Sequence, residues 1–208
     1  MTSQSMIYCR SFDYQLVPFK TEEYKIVICN TNVQRELVDS AYNQRREECN
    51  QATEFFADRL DKKVTALRDV SPQDFEKYAA ELPDTVARRA RHVIYENQRV
   101  LDSVKALRNN KFKQFGDLMI ESHRSLQKDY EVSCQELDIL VELALKQQGV
   151  AGARMTGAGF GGCTVNLVKE EAVAEFKENV AKGYLEQTDI ETDIYVSYPA
   201  AGARVISK

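Results

Sequence analysis

The sequence predicts an α+β fold in layers rather than a doubly wound parallel sheet. Three observations carry this. Short β-branched runs lie near both ends, helical periodicity fills the middle, and a strand–helix–strand order follows a glycine-rich stretch.

Residues 6–9 and 24–30 are apolar runs with β-branched side chains and read as strands. Residues 33–60 carry Val33, Leu37, Ala41, Ala52, Phe55, Phe56 and Leu60 at roughly helical spacing and read as one or two helices. Ser71-Pro72-Gln73-Asp74 is a helix start: the serine accepts orphan backbone N–H groups, proline fits the first position, and aspartate suits the positive helix end. Pro83 stops that helix, and Asp84 is a cap for the next. Val86, Ala90, Val93, Ile94, Leu101, Val104 and Leu107 then form one apolar face. Residues 111–129 read as another helix, with Phe112, Phe115, Leu118 and Met119 inward. Ser133-Cys134-Gln135-Glu136 has the form of a capping box, followed by Leu137, Leu140, Val141, Ala144 and Leu145 on one face and by Gly149 as a left-handed stop. Residues 163–168 alternate as a strand, 170–187 are helical with Val173, Phe176, Val180 and Tyr184 in phase, and 194–198 form a final strand that 203–206 extends or follows.

Composition limits the function. Twenty-eight basic against 32 acidic residues leave a net charge of −4, without the basic excess of a nucleic-acid-binding protein. No apolar run approaches the roughly 18 residues of a membrane span. The N-terminus has no visible secretory signal. The odd number of cysteines, scattered at positions 9, 29, 49, 134 and 163 without a C-x-x-C pair, reads as free thiols in a reducing cytoplasm.

The segment Arg154 to Cys163 is the densest in information. Six of the nine glycines lie between Gly149 and Gly162. Either the backbone there takes positive φ or another group approaches it closely. Such a loop is either an anion cradle of bare N–H groups or a set of tight turns packed on a neighbour. Gly157-x-Gly159-x-x-Gly162 matches the dinucleotide fingerprint literally, but that fingerprint needs a helix next, and here a strand-like run follows. The kinase V-A-I-K, H-R-D and D-F-G elements and the G-x-x-x-x-G-K-[ST] loop do not occur in the 208 residues.

Met155-Thr156-Gly157-Ala158-Gly159-Phe160-Gly161-Gly162-Cys163 resembles the third signature motif of galactokinases, in the GHMP small-molecule kinase superfamily. The resemblance extends through Ser40-Ala41-Tyr42-Asn43-Gln44-Arg45-Arg46-Glu47-Glu48-Cys49, Arg89-Ala90-Arg91-His92-Val93-Ile94-Tyr95-Glu96-Asn97, and Ser122-His123 to Asp138. It covers only the C-terminal half of such an enzyme. The family's G-R-x-N-L-I-G-E-H-x-D-Y, P-x-G-x-G-L-S-S-S-A and M-D-Q segments, the last carrying its catalytic aspartate, do not occur in these 208 residues.

The resemblance implies a ferredoxin-like antiparallel sheet layered with helices and a helical insert over 33–148. Residues 1–32 would be strands from the inter-lobe region, and 33–208 the GHMP C-terminal-like domain. It implies ATP-dependent phosphorylation of the anomeric hydroxyl of galactose, with ATP and Mg²⁺ held mainly by a complementary N-terminal lobe, and little or no activity for the isolated chain. Tyr42 is implied as the sugar contact; on residue type alone it reads as an ordinary half-buried tyrosine. Thr156, Gly157, Ala158, Gly159, Phe160, Gly161 and Gly162 are implied to line the active site. No residue here is expected to be a catalytic acid, base or metal ligand. Arg45 and Arg46, beside Glu47 and Glu48, read as a solvated ion-pair face rather than a phosphate clamp. His92 and His123 read as structural hydrogen-bonders, Cys163 as buried and inert, and Arg154 as within reach of an anion near the loop. The alternatives are a non-catalytic sugar- and ATP-binding regulator of the co-inducer type, or the corresponding lobe of an N-acetylgalactosamine kinase.

Overall fold

A computed structural model describes residues 3–19, 22–33 and 38–197. Among these described residues, six strands and six α-helices are formed. A hairpin of β1 (Ser3–Ile7) and β2 (Tyr14–Pro18) precedes β3 (Tyr24–Asn30). Then come α1 (Val38–Arg59), α2 (Pro72–Tyr78), α3 (Asp84–Arg108), α4 (Phe112–Ser125) and α5 (Gln135–Leu145), followed by β4 (Val150–Thr156), β5 (Cys163–Lys169), α6 (Val173–Thr188) and β6 (Asp193–Ser197). The run 203–206 lies outside the described residues.

The main sheet has the order β4-β5-β3-β6, with every neighbouring pair antiparallel. Taken in chain order its strands run second-third-first-fourth, which is the ferredoxin-like arrangement. The helices α1 to α5 lie between the first strand and the second, as the helical insert was expected to. β3 is an inner strand of this sheet, hydrogen-bonded to β5 on one side and β6 on the other.

One face of the sheet is covered by α5 and α6. Val27, Cys29, Ala153 and Val168 meet Leu140, Val141, Ala144, Phe176, Val180 and Tyr184 there, forming an apolar layer. Burial of each large apolar side chain contributes on the order of 1.5–3 kcal/mol. Towards the β4 edge the second layer is α4, and it approaches very closely. A Cβ on Gly116 of α4 would lie 2.0 Å from the Ala151 carbonyl oxygen, and one on Gly152 of β4 would lie 2.4 Å from Gly116 Cα. Two glycines facing each other let helix and strand backbones touch. On the opposite sheet face, Leu167 packs with Val17, Phe19, Leu107 and Met119, and Phe19 meets Phe112 edge-on at 5.6 Å. A third core sits away from the sheet, where Ala52 and Phe56 of α1 pack on Phe75, Ala90 and Ile94.

Local signals read from the sequence hold at α2. Ser71 Oγ accepts from the Asp74 N–H at 3.1 Å, and Asp74 returns the bond to the Ser71 N–H at 3.2 Å. Two others are corrected. Asp84 is the first helical residue of α3 behind Pro83, so it sits at the positive end without being the cap. Ser133 does not cap α5. The N-cap is Cys134, and the Ser133 hydroxyl donates to Asp138 Oδ1 at 2.5 Å, because a charged acceptor one helical turn on outcompetes backbone N–H groups.

Candidate functional site

The six-residue loop 157–162 joins β4 to β5 as a hairpin connection. Gly157, Gly159, Gly161 and Gly162 all have positive φ, and so does Phe160. Of the two reasons that such glycines can have, both operate at Gly159. Its φ is +87°, and a Cβ there would lie 2.0 Å from the Val132 carbonyl oxygen. That carbonyl accepts the Phe160 N–H at 2.8 Å. The other end of the loop is fixed by buried Thr31, whose hydroxyl accepts the Gly162 N–H at 3.1 Å while its own N–H donates to Gly162 at 2.8 Å. Thr31 in turn is held from below, its carbonyl accepting the Tyr184 hydroxyl at 2.8 Å. So Gly159 to Gly162 are fastened, while Thr156, Gly157 and Ala158 present an exposed tip.

Tyr42 stands on the first turns of α1 and is 60% exposed. One turn further on, Arg45 points inward and is buried. Its Nε donates to the Tyr130 carbonyl at 2.6 Å and its Nη2 to the Glu131 carbonyl at 3.0 Å. Residues 130–132 therefore meet both α1 and the glycine loop. They follow a π-helical turn, Leu126–Tyr130, closed by Glu131 in the left-handed conformation at φ 54°.

Arg45 and Glu48 correct the expectation of a solvated ion-pair face. Both are buried, whereas Arg46 and Glu47 are exposed. Helical phase is the reason: positions 45, 48, 52 and 56 turn the same way, towards α3. Glu48 Oε2 accepts from Arg89 Nε at 2.8 Å and from Arg45 Nη1 at 3.4 Å. Arg89, only 2% exposed, also donates through Nη2 to Glu131 Oε2 at 2.6 Å. Burial opposes the charge of Arg89, but Glu131 and Glu48 outweigh it and hold the guanidinium protonated. The Arg89 hydrogen bond, with burial opposing it and Arg88 assisting, holds the Glu131 carboxyl below its ordinary range.

Both histidines serve structure. His92 is buried, with Nδ1 at 3.0 Å from Ser125 Oγ and its ring stacked on Tyr130 at 4.5 Å. Burial, only partly opposed by Glu96, pushes its pKa down to about 4. His123 Nδ1 accepts the Met155 N–H at 3.3 Å, so the proton facing Asp138 sits on Nε2, 3.3 Å from Oδ1. Burial disfavours charge on Asp138, but bonds from His123, Ser133 and Gln127 prevail and lower its pKa. Cys163 is half-buried, and all five cysteines are free thiols. Burial pushes Cys29 up to about 12, which keeps it an inert thiol. Arg154 is engaged by Glu96 at 3.3 Å.

No group of three His, Cys, Asp or Glu side chains among the described residues is arranged to hold a metal ion, so no residue here is assigned to one. No helix among the described residues is long and apolar enough to cross a membrane.

Residues 103–186 match the family "GHMP kinases C terminal". With the ferredoxin-like strand order, this match makes the chain similar to the C-terminal lobe of GHMP kinases. Along nearly its whole length, it is similar to the C-terminal half of galactokinases. It is 47% identical to the galactokinase of Clostridium acetobutylicum over 200 residues, which are 96% of this chain and 51% of that protein. It is 43% identical to that of Bacillus subtilis, again over 96% of this chain and 51% of the relative. The solved structure of Lactococcus lactis galactokinase complexed with galactose superimposes with a TM-score of 0.89 at 40% identity, covering 94% of this chain and 50% of that one. The solved structure of L. major mevalonate kinase in complex with R-mevalonate shares the fold at TM-score 0.55 and 17% identity. The chain thus spans about half the length of the galactokinases it matches. These likenesses do not favour the regulator or N-acetylgalactosamine kinase alternatives.

Reading the sequence singled out the loop and Tyr42 as candidates and passed over the residues that join their elements. Arg45, Arg89 and Glu131 lie in segments that the family resemblance singled out, yet charged side chains inside a helix carry no local mark of burial.

Proposed function

We propose that this chain supplies the C-terminal wall of an ATP-dependent galactokinase active site. One observation carries the reading: the Tyr42 helix and the glycine loop are both tied to residues 130–132, through Arg45 on one side and Phe160 on the other. A phenol that is exposed and beside this strap can hydrogen-bond a sugar hydroxyl and lay its ring along the sugar. A loop of glycines lets phosphate-bearing backbone and nucleotide approach without meeting a Cβ.

Phosphoryl transfer to the anomeric hydroxyl depends chiefly on positioning and on charge stabilisation. In this reading Tyr42 orients the hexose, and Thr156 to Gly162 exclude water and shape the floor beneath the transferred group. Neither histidine takes the sugar proton, since both are buried and held within the core. That role, with ATP phosphate binding and Mg²⁺, falls to the complementary N-terminal half. A cytoplasmic setting accords with the free thiols.

The test is reconstitution. ADP release with galactose and ATP is measured for the 208-residue polypeptide alone and after co-expression with a complementary N-terminal half. Turnover only in the second case supports the reading. Robust turnover by the 208 residues alone refutes the assignment of roles, and a folded two-part complex without galactose-dependent turnover refutes the function.

A further inference from the structure

We propose that Arg45, Arg88 and Arg89 are positioning residues for the glycine loop, clasping four successive carbonyls of residues 128–131 and thereby presenting the Val132 carbonyl to Gly159 and Phe160. The inference rests on the reading that this loop lines the active site.

The last carbonyls of a helix have no partner within it. Here they lie at the end of the π-helical turn, and guanidinium groups supply the missing donors. Arg88 Nη1 donates to the Lys128 carbonyl at 3.3 Å. Arg89 Nη1 donates to that of Asp129. Arg45 spans the next two, Tyr130 at 2.6 Å and Glu131 at 3.0 Å. The Glu131 carboxylate folds back onto Arg88 and Arg89, so its side chain secures the donors that bind the backbone around it. The following carbonyl, that of Val132, is the one that accepts Phe160 N–H at 2.8 Å.

Position along this strap is therefore set residue by residue, from two helices, up to the point where the loop is attached. Glu131 closes the turn in the left-handed conformation, and a strap free to slide would carry Val132 away from Gly159. Only arginine can do this. Its rigid fork offers several N–H donors at fixed angles, and lysine places a single point charge. A mere need to neutralise buried Glu48 would be met by either.

Amide hydrogen exchange on the 208-residue chain separates the two. Arg45→Lys is expected to speed exchange over 157–162 about tenfold while peptides covering 24–30, in the β3–β5 ladder, keep their rates. Unchanged exchange over 157–162, or an equal rise over 24–30, would overturn the proposal. Arg88→Gln is the milder second variant, since Arg88 is partly exposed and its removal leaves no buried charge. It is expected to give the same local pattern at about threefold, and its absence in a folded protein counts against the clasp equally. In the two-part kinase, Arg45→Lys is expected to lower kcat with the galactose KM unchanged. Faster loop exchange with kcat unchanged would leave the clasp standing and remove the loop from the active site.

Discussion

The layer between the sheet and helices α5 and α6 differs in kind from the strap between α1 and α3. In the first, the side chains of Val27, Leu140, Val168, Phe176 and Val180 bury apolar surface against one another without directional contacts of their own. In the second, guanidinium groups meet carbonyls and carboxylates one by one. Apolar packing tolerates a volume-conserving exchange, because its free energy follows area and shape. A directional contact does not, because it fixes where one backbone atom sits. The apolar layer holds the lobe together, and the polar strap fixes the geometry of one loop.

The comparison can be broken most directly by deleting one member from each region. Arg89→Met and Phe176→Ala are each expected to cost about 3–5 kcal/mol in urea denaturation, the first by leaving buried Glu48 only the longer ion pair with Arg45, the second by opening a cavity. Their local signatures should differ: Arg89→Met loosens 157–162 beyond its global loss, whereas Phe176→Ala does not. Matching exchange profiles would show that the two regions are one energetic unit.

Acid sharpens the contrast, since buried His92 stacks on Tyr130 of the strap. His92 has a folded pKa of about 4, below the ordinary 6.5 that it regains on unfolding. The unfolded chain binds the proton more readily, so the contribution of neutral His92 is complete above about pH 6.5 and is lost as pH falls towards 4. This amounts to roughly 3 kcal/mol at most. The drop in thermal stability from about pH 7 to 4.5 should be smaller in His92→Gln, and an unchanged drop would assign the acid sensitivity elsewhere.

Gly159→Val tests the point where strap and loop touch. A side chain there meets the Val132 carbonyl and a positive φ together, so turnover of the two-part kinase should fall about a hundredfold. Normal kinetics in a folded variant would deny the loop a role in catalysis. The smallest effect belongs to Tyr42→Phe. Removing one sugar hydrogen bond should raise the galactose KM about tenfold and leave thermal stability unchanged, because the side chain is largely exposed. An unaltered KM and kcat would return Tyr42 to an ordinary surface tyrosine.

Much of this was legible before any coordinates. Periodicity located β3, α2, α3, α5, β5 and α6, since burying one face of an element repeats through its sequence. The glycine run announced a loop with unusual backbone, and Gly159 needs glycine for both of the reasons open to it. The Ser133 capping box failed because its local pattern competed with a charged acceptor, Asp138, already held by His123 from another helix. Gly116 and Gly152 had no readable meaning apart, because each exists to admit the other.

By itself, then, the sequence determined the layered class, the clustering of helices in the middle and the position of the glycine loop, all of which follow from apolar spacing and local backbone chemistry. Tertiary structure alone decided that Arg45 and Arg89 are buried, that the three carbonyls of residues 129–131 receive them, and that Val132 meets Gly159. Burial of a charge depends on whether distant segments bring it partners, and no local pattern of residues records that.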